Sequence, residues 1–190
     1  VKKGITLIDR DVLANLLAGV SCDYFELREE SDRTFKLWLK DNPMDTRTIL
    51  SIVRQVDEDV EILKDLSENL DQVLPDPIQR RAFERSLHTA IEGMFDILRH
   101  IVSRIAPGGF ETYGELVNVA QNLGIISMAT SSLMRGLTDA RHTLVHRYRG
   151  ITDQFLEEHV NKVCASWPPF KEEVRGYLQK LNDLSQSPFQ

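Results

Sequence analysis

PIQRRAFERSLHTAIEGMFDILRHIVSRI, residues 77–105, decides the fold. Ile78, Ala82, Leu87, Ile91, Met94, Phe95, Leu98, Ile101, Val102 and Ile105 recur at three- and four-residue spacing, the period of a helix with a broad apolar face. Pro77 suits the first turn, where its missing N–H costs nothing, and Pro107-Gly108-Gly109 stops the run. No strand accommodates that period over such a length.

Upstream, Asp45 or Thr46 can cap a second long helix whose stripe runs through Ile49, Ile52, Val53, Val56, Val60, Leu63, Leu66 and Leu70 to Pro75. Downstream the helices shorten. Thr112-Tyr113-Gly114-Glu115 has the capping-box pattern, opening a helix that Gly124 closes. Ser127 can cap the next, which holds Met128, Leu133, Leu137, Leu144 and Val145 and stops near Gly150. Thr152 or Asp153 opens a helix with Phe155, Leu156, Val160 and Val163. Pro168-Pro169 is expected to break the chain before a last amphipathic helix with Val174, Tyr177, Leu178 and Leu181. Two long helices of roughly 25–30 residues followed by shorter ones predict a mainly α, up-and-down bundle over residues 45–190.

Residues 1–44 read as an extension. Ile5 to Leu17 have helical spacing up to Gly19, whereas Phe25/Leu27 and Phe35/Leu37/Leu39 alternate on either side of Glu29-Glu30-Ser31-Asp32. The alternation predicts a small N-terminal β-hairpin, although the same Leu- and Glu-rich segments are compatible with helix.

Composition narrows the functional classes. The chain has 190 residues, 42% hydrophobic and 27% charged, enough for a core without staples. Cys22 and Cys164, far apart, make neither a disulfide framework nor a thiolate zinc site. No apolar run of membrane-spanning length and no signal-peptide pattern is present, so a cytoplasmic, membrane-free setting is expected. A net charge of −6 argues against a general nucleic-acid coat. Yet Arg135, Arg141, Arg147 and Arg149 stand together against a single acid, Asp139, a basic island suited to a small anionic site. No Gly-rich loop follows a strand, and Ser86, Ser103 and Ser127 lack a nucleophile-elbow context.

Within that island, Arg141-His142-Thr143-Leu144-Val145-His146-Arg147-Tyr148 combines R-x4-H with H-x-Y. R-x4-H alone recurs by chance; the compound pattern late in a helical bundle is more specific. It resembles the signature of the HEPN superfamily, specifically the HepT toxins, where a polar residue usually follows the arginine, here His142. The likeness extends from Arg85 through Val163: the long helix with Ala90, Ile91 and Phe95, the Pro-Gly-Gly turn, Leu123-Gly124-Ile125-Ile126, and the Ile151–Val163 helix. It covers roughly residues 45–190 and leaves the N-terminal extension without a counterpart.

The chemistry of these residues fits RNA cleavage. RNA supplies its own nucleophile, the 2′-hydroxyl, so an enzyme need only move protons and stabilise a crowded phosphate. Histidine titrates near neutrality and can do the first; arginine's fixed fork matches phosphate oxygens for the second. Neither step requires a metal or cofactor, and none is expected. His146 is the expected proton-transfer residue, Arg141 the phosphate clamp, and His142 a second acid or base. Arg135, Arg147 and Arg149 are candidate RNA contacts. The bland reading of Arg147 and Arg149 is solvated charge, and that of Tyr148 an interface tyrosine. His142 and His146 have a spacing that can ligate metal, but a lone pair without a third ligand carries little weight. His88, His100 and His159 read as ordinary helix histidines, and Asp57-Glu58-Asp59-Glu61 as a solvated face.

Arg141 and His146 lie about 140° apart around an ideal helix, so both cannot face one narrow groove of one protomer. Either the helix loosens near His146 or two copies share the site. The resemblance implies the latter, since HEPN proteins build their cleft from two subunits. It also implies that Tyr148 is the residue to which a partner nucleotidyltransferase antitoxin, MntA-like, adds AMP, silencing a toxin. The alternative is a non-catalytic HEPN module that binds nucleotide or scaffolds such a partner, a reading the acidic net charge favours.

Overall fold

The structure, a computed structural model, describes residues 44–105, 110–146 and 151–186. The expected N-terminal helix and β-hairpin lie outside the described residues. Within them are six helices and no strand: α1 (Thr46–Ser67), α2 (Leu70–Val73), α3 (Pro77–Ile105), α4 (Tyr113–Asn122), α5 (Met128–His146) and α6 (Asp153–Gln186). None is long and apolar enough to cross a membrane.

Side-chain caps, Asp76 among them unforeseen from the sequence, explain where these helices begin. Asp45 accepts from the Thr48 N–H at 3.2 Å, and Asp76 takes the N–H groups of Ile78 and Gln79 at 2.8 and 2.9 Å with Pro77 beside it. Thr112 and Glu115 form the reciprocal capping box of α4. Ser127 Oγ accepts from Thr130 and Thr152 Oγ1 from Phe155. Gly124, at φ 68°, turns the chain out of α4 in a left-handed conformation that favours glycine.

Helix α3 is the axis of the bundle, packed against α1, α4, α5 and α6. Phe83, Leu87, Ala90, Ile91, Met94, Phe95, Ile97, Leu98, Ile101 and Val102 are all fully buried, so nearly its whole circumference is core. One polar stripe survives at helical spacing: Arg85, His88, Glu92, Asp96 and Arg99, exposed or half-buried. The middle of the most buried helix thus keeps one polar line, and that line faces the site described below.

Helices α1 and α3 approach closely because residue 93 is glycine. A Cβ there would sit 2.4 Å from Val56 Cγ2 and 3.4 Å from Ile52 Cγ2. Val56 is fully buried and stiff at χ1, so it cannot swing aside. Gly93→Ala is therefore expected to destabilise by about 1–3 kcal/mol, outweighing alanine's better helix propensity. Thermal unfolding by circular dichroism checks this: a midpoint lowered by several degrees is expected, with part of the loss recovered by adding Val56→Ala. An unchanged or raised midpoint contradicts the packing argument.

Three expectations need correction. Pro168-Pro169 does not end a helix; α6 continues through both prolines to Gln186. Two prolines forfeit two backbone donors, at a cost of about 3 kcal/mol or more each in isolation, and tertiary anchoring around them offsets it. Trp167 and Phe170 are buried, Trp167 Nε1 donates to Asp57 Oδ1 at 2.8 Å, and Lys171 Nζ reaches both Asp57 oxygens at 2.7 and 2.8 Å. Second, the acidic run on α1 is not a wholly solvated face. Asp57 is that anchor, and Asp59 is 5% exposed against α3, its carboxyl pushed above the usual range by burial while Thr89 and Gln55 oppose the shift. Third, the first long helix stops at Ser67; Leu70, the last member of its stripe, belongs to the four-residue α2.

Candidate active site

Helix α5 holds the motif, and its two faces do different things. Arg141 turns into the bundle. Its Nη2 donates to Glu92 Oε1 at 2.9 Å, and its Nε lies 2.7 Å from Glu92 Oε2, close enough for an ion pair but out of line for a hydrogen bond. The guanidinium carbon sits 4.0 Å from the centroid of the Tyr113 ring, contributed by the first turn of α4. Burial works against the Arg141 charge, but the Glu92 carboxylate, aided by Tyr113 and Asp96, more than offsets it, so the guanidinium is held charged.

Tyr113 is itself fixed. Its ring packs edge-on to Phe95 with centroids 4.9 Å apart, and its hydroxyl accepts from Arg99 Nη2 at 2.7 Å. Arg99 pairs with Asp96 at 2.7 Å, and burial raises the Asp96 carboxyl's pKa. A polar chain Asp96–Arg99–Tyr113–Arg141–Glu92 therefore runs across α3, α4 and α5, and all three α3 members come from its polar stripe. Further along the stripe, His88 is half-buried, and burial lowers its pKa; Glu92 opposes that shift and Arg85 and Arg141 reinforce it.

The opposite side of the motif is open. His142 and His146 are exposed and adjacent, their ring centroids 5.0 Å apart with planes tilted by 51°. Helix α5 stays regular through His146. The angular separation expected from the sequence thus persists: the arginine points inward and the histidines outward. Arg135, two turns before His142 and exposed, reaches Asn118 and Gln121 on α4. Those partners are uncharged, so its positive charge is not neutralised by them. Arg147, Tyr148 and Arg149 lie outside the described residues.

The histidines read as ordinary divide. His159 is structural: 8% exposed, its Nδ1 2.7 Å from the Phe155 carbonyl and its ring stacked on Phe155 at 4.2 Å. His88 instead borders the Arg141 cluster. Sequence reasoning passed over Glu92, Tyr113, Arg99 and His88. The signal that points to three of them is the line of polar residues at i, i+4 and i+7 or i+8 on a helix that is apolar elsewhere.

Comparison with known proteins agrees with this architecture. A structure of YutE, a cytosolic protein of unknown function from Bacillus subtilis, superposes with a TM-score of 0.63 at 16% identity, covering 76% of this chain and 96% of that one. The likeness is one of fold. No match is found among curated proteins. The sequence profile described as ribonuclease HepT-like matches residues 45–175, which contain α1 to α5, the motif through Arg149 and most of α6. The chain belongs to the ribonuclease HepT-like family, of the HEPN superfamily.

Proposed function

We propose that this protein is a toxin endoribonuclease that cleaves RNA without a metal. The observation that supports it most is the division of labour on α5: a charged, preset Arg141 beside two exposed, adjacent histidines. In the reaction, the 2′-oxygen attacks the neighbouring phosphorus while its proton passes to an imidazole. The P–O5′ bond breaks, and the departing oxygen takes a proton. The products are a 2′,3′-cyclic phosphate and a free 5′-hydroxyl. His146 is the first proton-transfer group and His142 the second. Arg141 stabilises the phosphorane charge, with Glu92 and Tyr113 holding its fork and Arg135 steering the backbone.

Because Arg141 and the histidines face different ways on a regular helix, one protomer does not enclose a substrate between them. A homodimer that brings the histidine face of one copy to the arginine cluster of another resolves this, and doubles the local positive charge. Silencing fits the same site. Transfer of AMP from ATP to the Tyr148 hydroxyl by an MntA-like nucleotidyltransferase, releasing pyrophosphate, places a bulky anion two residues beyond His146. Arg147 and Arg149 flank that tyrosine and complete the basic island.

The test is cleavage of several RNAs, tRNA included, by purified unmodified protein in EDTA, with end analysis. Cyclic-phosphate ends from wild type and none from the Arg141→Ala/His146→Ala double variant are expected. No cleavage by unmodified wild type moves the assignment to a non-catalytic nucleotide-binding or scaffold module, the reading that the −6 net charge and the internal pairing of Arg141 favour.

A further inference from the structure

We propose that His142 and His146 form a chelating site for a borderline divalent transition-metal ion, Zn²⁺ being the reference case, and that occupancy inhibits the ribonuclease. The second half rests on the function proposed above; the first does not.

Spacing alone gave this pair little weight, and the geometry adds what spacing lacked. Zinc–nitrogen bonds of about 2.0–2.1 Å at tetrahedral angles place the centroids of two chelating imidazoles about 5 Å apart. The rings stand 5.0 Å apart already. Both sit on consecutive turns of one regular helix, so the backbone needs no rearrangement. The terminal torsion is soft for histidine, so each ring is free to turn a lone pair toward a shared ion. Both side chains are exposed, so neither is committed to the core and an ion has free approach.

Arg141 turns the other way and is matched by Glu92. Arg135, two turns before His142, and Arg147, next to His146 in sequence, oppose a dication, so the site rests on chelate geometry rather than on electrostatics. Ligand chemistry sets the class of ion. Imidazole suits zinc, copper and nickel, whereas magnesium and calcium demand oxygen ligands. Among the described residues no third histidine, cysteine, aspartate or glutamate joins the pair. The bound ion therefore keeps open positions for water or a phosphate oxygen.

Inhibition follows from the lone pairs. A metal-bound imidazole nitrogen neither accepts nor donates a proton, so occupancy removes the groups assigned to proton transfer. Chelators are then expected to stimulate cleavage in preparations carrying trace zinc, the opposite of their effect on a metal-dependent nuclease.

The experiment is a Zn²⁺ titration of the full chain against a chromophoric chelator, with wild type, His142→Ala, His146→Ala and Arg141→Ala. Wild type and Arg141→Ala are expected to bind equally, and each histidine variant at least tenfold more weakly. Histidine variants that bind as wild type does overturn the site, including the case where the cysteines hold the metal. Cleavage by wild type that is unaffected at saturating Zn²⁺ overturns the inhibition. Wild type that binds Zn²⁺ through the histidines yet never cleaves RNA removes the nuclease assignment and leaves the chelate standing.

Discussion

Replacing His146 with alanine is expected to lower RNA cleavage by about 10²–10⁴-fold, the usual contribution of a positioned general acid or base, with the fold unchanged. The separation of effects comes from exposure. His146 is exposed at the end of α5 with its ring beside His142, so its removal opens no cavity. His142→Ala is expected to fall in the same direction, since a one-sided loss leaves either the attack or the departure without proton transfer. His159→Ala is the informative contrast. That side chain is buried, stacked on Phe155 and tied to the helix backbone, so its loss lowers thermal stability and leaves the rate per folded molecule unchanged. Initial rates on tRNA in EDTA, with circular dichroism on the same samples, decide the matter. A His146→Ala rate within about threefold of wild type removes the proton-transfer role, because that is far below the contribution a positioned acid or base makes.

The helical bundle was readable because its determinants are local. Capping side chains at Asp45, Thr112, Ser127 and Thr152 act within three residues, and the apolar stripe of α3 announces a helix whatever packs on it. The errors are non-local. Pro168-Pro169 looks like a break until Asp57, more than 100 residues away in sequence, is seen holding Trp167 and Lys171 on either side. Asp59 looks solvated until α3 covers it.

The candidate site divides in the same way. Arg141, His142 and His146 stand in one octapeptide and can be read from it. Glu92 and Tyr113 lie 49 and 28 residues before Arg141, and nothing in their immediate neighbours marks them as its partners. A half-buried guanidinium needs a carboxylate and a surface to rest on, but only the packing of α3, α4 and α5 says which ones.

That dependence of Arg141 on Glu92 has a testable signature, because the pair acts on stability and on cleavage with different logic. Arg141→Ala leaves Glu92 without its partner in a half-buried setting, which is expected to cost about 1–3 kcal/mol of stability as well as about 10²–10³-fold in cleavage, the range for removing a transition-state charge donor. Adding Glu92→Gln to that variant removes the orphaned charge. The double variant is therefore expected to regain much of the lost thermal stability and none of the activity. Glu92→Gln alone keeps a neutral acceptor for the fork, so it is expected to lose less activity than Arg141→Ala. In the double variant its effect on cleavage vanishes, since Glu92 acts only through the guanidinium it holds. Arg141→Lys is the remaining arm: an ammonium has no planar fork, so it cannot pair with Glu92, lie flat on Tyr113 and still present two parallel donors to phosphate, and its rate is expected close to that of alanine. Additive losses of activity for Glu92→Gln and Arg141→Ala contradict the positioning role. A double variant whose unfolding midpoint stays at that of Arg141→Ala shows that the ion pair is not what holds this end of α5 against α3.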